Sequence, residues 1–340
     1  MQGNTPVVVD LHEDIAFYFQ SYGAGQVYGD YGEDLEGRQA DVPKYRRANV
    51  RLVFAALFPA VDVYGASPPG YQGKWFSYPT LASSRSIVLD QFKTYYNLAR
   101  RHGITLVEDS GSLEDVIGSD PWQLGFVLHL EGADLLGDPG DLELLYRLGL
   151  RSLGLTWNWD NKYAASCTTR GDYGLTPLGE ELVEEAERLG ILIDLAHASD
   201  KTALDVISMA RKPVVISHGG LRSRVDTGRN TSWEVLDALA SSGGVFGVTF
   251  ISSLIRSSGR PTISDVADII VDLVERYGDR LPALGTDYHG LLYQEPPEGL
   301  ESIDRLSALA GMLADRGLGD NSIRRVMGEN ALRVLRERLV

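Results

Sequence analysis

Five side chains able to bind a divalent cation stand directly after short apolar runs: His12 and Asp14 after VVVDL, Glu131 after FVLHL, His197 after ILIDLA and His218 after VVIS. Asp287 is placed the same way after PALGT. Imidazole nitrogens and carboxylate oxygens suit zinc or another divalent transition metal. His12 and Asp14 are two apart, so they project from one side if the strand continues that far. Glu131 closes an almost wholly apolar run, where a carboxylate is costly without a cation or donors. It could bridge two ions with its two oxygens, and a buried salt bridge is the plainer alternative. His197 and His218 lie 21 residues apart, about one βα unit, which suits adjacent strands. Asp287 could take a proton from activated water and return it to a leaving amine. Arg229, in the polar loop SRVDTGRNTSW, could fork onto a substrate carboxylate. Singly, these residues read as strand-end histidines, a helix-capping aspartate and a solvated arginine. Together they point to a metal-dependent hydrolase.

Such residues need strands to carry them. Apolar runs predict eight, near residues 7–11, 50–57, 125–130, 150–156, 191–196, 213–217, 244–250 and 282–286. Helical patterns fall between most of them, near 80–101, 200–210, 232–242, 264–277, 301–315 and 320–338. Another follows the cap pair Thr176-Pro177 and stops at Gly190. Strand and helix alternate as in a (β/α)8 TIM-type barrel, whose active site sits at the carboxyl ends of the strands. No linker or internal repeat divides residues 1–340, so one barrel domain is expected. It carries an insertion around 58–80 containing YGASPPGYQGKWFSYP.

With 32 basic and 47 acidic residues, the net charge of −15 disfavours nucleic acid and anionic membrane surfaces as partners. The first strand begins by Val7, leaving no room for a signal peptide, and no apolar run approaches the ~20 residues of a membrane span. A cytoplasmic chain is the default expectation. Cys167 is the only cysteine, so metal must be held by histidines and carboxylates.

These residues, in this order, resemble the membrane (renal) dipeptidase family of zinc hydrolases. The likeness is carried by DLHEDI at 10–15, LEGAD at 130–134, LGLTWNWDNKYAAS at 153–166, GLTPLGEELVEEAERLGILIDLAHASDKT at 174–202, PVVISH at 213–218, RN at 229–230, SGGVFGVTF at 242–250, GTDYHG at 285–290 and MGENALRVL at 327–335. It implies an amidohydrolase-type barrel with two Zn2+ ions, one on His12 and Asp14, the other on His197 and His218, with Glu131 bridging. It further implies activated water attacking a peptide carbonyl, Asp287 shuttling the proton and Arg229 holding the C-terminal carboxylate of a dipeptide-like substrate. Family members often tolerate a D-residue there, and a homodimer is expected, with the aromatic insertion near 64–79 as a contact.

The substrate shell departs from the family. Thr156-Trp157-Asn158 stands where Thr-His-Asn is usual, Ile251 replaces a tyrosine, and Asp287-Tyr288-His289-Gly290 replaces Asp-Phe-Asp-Gly. Trp157 and Asn158 are still expected beside the substrate. Trp157 can donate one N–H but cannot accept a proton or bind zinc. If the chain stays extended after Asp287, His289 shares its face and supplies the imidazole missing at 157. The reshaped pocket leaves two alternatives to a dipeptidase: a hydrolase of another small amide or lactone, such as an N-acyl amino acid or lactam, and a metal-binding barrel without activity.

Overall fold

The computed structural model describes residues 6–23, 25–59, 81–291 and 294–339. Most of the expected insertion, including its contact segment near 64–79, lies outside the described residues. Among the described residues, nine parallel strands form one sheet: β1 (Val8–Glu13), β2 (Val50–Leu57), β3 (Thr105–Leu106), β4 (Gly125–Glu131), β5 (Leu150–Gly154), β6 (Leu192–Asp194), β7 (Val215–Gly219), β8 (Val245–Val248) and β9 (Pro282–Leu284). β2 pairs with both β1 and β4, and β1 pairs with β9, so eight of the nine close into a barrel surrounded by helices. This is the expected (β/α)8 fold. The ninth, β3, pairs with Gly125 and Phe126 at the start of β4. β5 takes over along β4 only from Leu128.

Alternation along the strands sorts their side chains into two apolar clusters. One gathers Val9, Leu52, Val127, Leu192, Val215, Val245 and Ala283 from different barrel strands, with Leu332 and Leu335 of the C-terminal helix. Residues drawn from so many strands fill the barrel interior, as in other packed barrels. The other cluster joins their alternates, Val8, Val53, Phe126, Leu128, Ile193, Ile216, Phe246 and Leu284, to the helices outside.

The helix Pro177–Leu189 shows how sequence sets a boundary. Thr176 accepts from the Gly179 amide at 3.1 Å, Pro177 takes the first turn, and Gly190 ends the helix in the left-handed region at φ 73°. Strand β6 is shorter than its apolar run suggests, because the chain turns after Asp194 and His197 takes φ 63°. Helices Val42–Arg47, Ser110–Gly118 and Asp141–Arg147 fall where no helix was expected.

Candidate metal centre

Every residue expected to hold metal ends at one rim of the barrel. His12 and Asp14 come from the end of β1, Glu131 from β4, His197 from the turn after β6 and His218 from β7. His12 Nε2 lies 3.5 Å from Asp14 Oδ2, 3.6 Å from Glu131 Oε1 and 3.7 Å from Asp287 Oδ1. Glu131 Oε1 also lies 3.1 Å from His197 Nε2 and 3.6 Å from His218 Nε2. Three imidazoles thus aim one nitrogen each at a single carboxylate oxygen. His12 with Glu131 and His218, and His12 with Asp14 and Asp287, are each close enough to hold an ion.

The outer ring nitrogens fix the tautomers. His197 Nδ1 is 2.7 Å from Asn158 Oδ1, an acceptor, so Nδ1 carries the hydrogen. Ser217 Oγ donates to Asp194 Oδ2 at 2.5 Å and therefore accepts from His218 Nδ1 at 2.8 Å. Both Nε2 atoms are left with lone pairs, yet they face each other at 3.0 Å. Two lone pairs cannot bond one another, and a shared electrophile is what such a pair fits. His12 Nδ1 and Nε2 and Asp14 Oδ1 are buried with no hydrogen-bond partner among the described residues. Buried polar atoms without partners are costly, and a cation would satisfy them.

The electrostatics agree. Burial opposes charge on His12, but Glu131, Asp14 and Asp287 overturn this and hold its pKa up to about 10. A field that favours a proton at His12 also favours a metal cation. Burial, partly offset by His12, raises Glu131 to about 8, and burial together with Asp14 pushes Asp287 well above the carboxylate range. His197 and His218 are held well below the ordinary histidine value by burial, reinforced by Arg229 and His12, so both rings are neutral donors.

Backbone shape brings the groups together. His197 and Asp287 both adopt left-handed φ, 63° and 62°, uncommon outside glycine and concentrated at functional sites. Gly290 has no Cβ because one there would stand 2.0 Å from Asp14 Oδ2 and 2.6 Å from Asp287 Oδ1.

A cavity of about 180 Å³ opens over the centre. It is lined by the apolar side chains of Phe17, Phe58, Trp157, Ile251, Leu254 and Leu291 together with Asn158, Arg229 and Asp287. Trp157 packs on Phe58 at 5.0 Å between ring centroids. The Arg229 guanidinium reaches His197 Nε2 at 3.0 Å and the His218 carbonyl at 3.1 Å, so it sits at the centre rather than in solvent. Asn158 turns its amide oxygen onto His197 as well as bordering the cavity.

His289 is not brought to this cavity. The left-handed φ at Asp287 and at His289 itself (68°) breaks the extended path that a shared face requires. Its ring is fully buried, 4.7 Å from the Tyr18 ring, with Nε2 3.1 Å from Tyr31 Oη. The imidazole missing at 157 is therefore not replaced from 289. Sequence reasoning passed over Asp10, Asp194, Ser217 and Gly290. The signal for the aspartates lay in their placement: each precedes a metal-type histidine inside an apolar run, where a carboxylate needs donors.

A closed parallel barrel with imidazoles and carboxylates gathered at one rim defines a metal-dependent hydrolase. The chain belongs to the membrane dipeptidase family, peptidase family M19, whose model matches residues 3–339. It is thus a metallo-dipeptidase, and membership implies a divalent metal. Dipeptidase verJ of Clonostachys rogersoniana is 28% identical over 334 residues, 96% of this chain and 83% of that protein. The crystal structure of dipeptidase AC, a metallopeptidase of family M19, superposes with a TM-score of 0.84 at 22% identity, covering 99% of each chain. A metallopeptidase from Rhodobacter sphaeroides, liganded with a phosphinate mimic of the dipeptide L-Ala-D-Ala, gives 0.83 at 22% identity over 98% of this chain and 100% of that one. At these identities the two structures speak for the fold. No helix among the described residues is long and apolar enough to cross a membrane.

Proposed function

We propose that the chain, as one catalytic barrel domain, is a dinuclear zinc dipeptidase that hydrolyses small dipeptides with a free C-terminal carboxylate and accepts a D-residue at that end. The convergence of His12, His197 and His218 Nε2 on Glu131 Oε1, within 3.1–3.6 Å, carries this reading. His12 and Asp14 would hold one ion, His197 and His218 the other, and Glu131 would lie between them. Bound there, divalent cations supply Lewis acidity toward a carbonyl oxygen and lower the pKa of water.

The chain's own groups do the rest. Asp287, whose Oδ1 lies 3.7 Å from His12 Nε2 and which lines the cavity, is placed to accept a proton and pass it to the leaving amine. Arg229 binds the substrate carboxylate, the cation this cavity offers to an anionic end group. Trp157, Phe58 and Phe17 exclude water from one side and present an apolar face to a substrate side chain. The bound ligand of the Rhodobacter sphaeroides neighbour supports a D-residue at the carboxylate end.

Metal analysis with a panel of L,L- and L,D-dipeptides tests the reading. We expect two equivalents of zinc, hydrolysis of both series, and a KM for dipeptides raised roughly tenfold or more by Arg229→Ala while uncharged esters are spared. Metal-loaded protein that cleaves no amide in the panel would exclude it.

A further inference from the structure

Two seams of the barrel carry a single in-register pair between the strands themselves: β1 to β9 at Asp10 and Leu284, with one further parallel bridge from Glu13 to Tyr288 past the end of β9, and β6 to β7 at Asp194 and Val215. In both, the residue on the first strand is a buried aspartate, and its carboxylate crosses to the residue two beyond its partner. Asp10 accepts from the Thr286 amide at 2.9 Å and from Thr286 Oγ1 at 2.6 Å. Asp194 accepts from the Ser217 amide at 2.7 Å and from Ser217 Oγ at 2.5 Å. Each carboxylate also takes an amide of its own chain a little further on, His12 at 3.3 Å and Ala196 at 3.0 Å. The two arrangements match atom for atom.

The residue next in the chain after each hydroxyl gives the arrangement its meaning. After Ser217 comes His218, whose Nδ1 donates to the same Ser217 Oγ at 2.8 Å. After Thr286 comes Asp287, and Thr286 Oγ1 accepts from the Tyr288 amide at 3.1 Å, closing the turn that holds Asp287 at φ 62°. So few backbone bonds, even with the Asp287 amide on the His12 carbonyl at 3.0 Å, restrain the twist of a strand end less than a full ladder does. A carboxylate taking both the amide and the hydroxyl of the next strand removes the freedom that remains, because the two hydrogen bonds fix direction as well as distance.

We propose that Asp10 and Asp194 are positioning residues, twin carboxylate clamps that close the two thin seams and set the directions of Asp287 and His218. The proposal rests on the metal and proton-transfer roles given to those two residues above. His129 braces the second clamp, with Nε2 3.3 Å from Asp194 Oδ2 and Nδ1 2.9 Å from Ser152 Oγ.

The test is calorimetric titration of zinc into the metal-free full chain, with steady-state kinetics on the loaded enzyme. Ser217→Ala should weaken one of two zinc-binding steps about 10- to 100-fold, the range for lost support of a metal-ligating histidine, and Ser217→Thr should restore it. Thr286→Val should lower kcat about tenfold or more at constant KM, with Thr286→Ser restoring turnover. Should Ser217→Ala melt before titration, Asp194→Asn keeps the volume, faces Ser217 with an altered acceptor and must weaken the same step. Wild-type zinc affinity in Ser217→Ala, or a Thr286→Ser variant as slow as Thr286→Val, overturns the clamp. A wild-type chain that takes up one equivalent overturns the two-ion reading instead, and the clamp is then decided by the Thr286 pair.

Discussion

At the scale of single residues, position 290 shows how little room the centre has. A Cβ there would stand inside contact distance of both Asp14 and Asp287 carboxylate oxygens. Gly290→Ala should therefore spread the two carboxylates and cost on the order of 100-fold in kcat/KM, as an ångström of misplacement can, with an unchanged far-ultraviolet spectrum. Near-wild-type turnover would show that the carboxylates need not approach so closely. The ligand-type residues were legible in the sequence because charge at the end of an apolar run is conspicuous. Gly290 was not, since a glycine in GTDYHG is spelled like any turn glycine. His289 misled for a related reason: alternation assigns faces only while the chain stays extended, and left-handed φ at Asp287 ends that.

At the scale of elements, the strands were readable wherever backbone pairing follows side-chain pattern. All eight expected runs carry barrel strands, whereas β3, only Thr105 and Leu106, is too short for any periodicity to announce it. The helix Asp141–Arg147 escaped notice because it has no side-chain cap and starts in Gly140 after a Gly-Asp-Pro stretch. Tertiary contacts also reach across elements in ways no local pattern encodes. Buried Asn330, at the start of the last helix, donates to the carbonyls of Asp279 and Pro282 at 2.8 Å each, pinning the approach to β9. Asn330→Ala should cost about 1–3 kcal/mol in denaturant unfolding by leaving buried acceptors unpaired.

The loop holding His289 gives a pH signature. Burial, then Arg38, depresses its pKa from the ordinary histidine value of 6.5 to about 3, and burial brings His129 to about 4. Both rings are neutral when folded and protonate more readily when unfolded, so the unfolded chain binds more protons below 6.5. Stability should be full above that pH and fall as pH drops from 6.5 toward 4, by up to about 1.4 kcal/mol per unit for each ring. Urea midpoints measured from pH 7 to 4 check this: His289→Gln should flatten the slope, and an equally steep slope in that variant would assign it to other groups.

At the scale of the whole molecule, the candidate ligands come from β1, β4, the turn after β6, and β7, so any ion they hold ties distant parts of the barrel together. Chelation should lower the melting temperature, and added zinc should restore it in a concentration-dependent way, since a ligand that binds only the folded state stabilises it by mass action. A melting curve indifferent to chelator would place the metal, if bound, outside the barrel's cohesion. The thin seams give this architecture a grain. Cut along both, the barrel parts into two staves, β1, β2, β4, β5 and β6 in one and β7, β8 and β9 in the other. Both fracture lines run through the centre: His12, Asp14, Glu131 and His197 stay with the wider stave, and His218, Arg229 and Asp287 leave with the narrower. The first parting of the staves would thus silence the enzyme while most of its secondary structure is still intact.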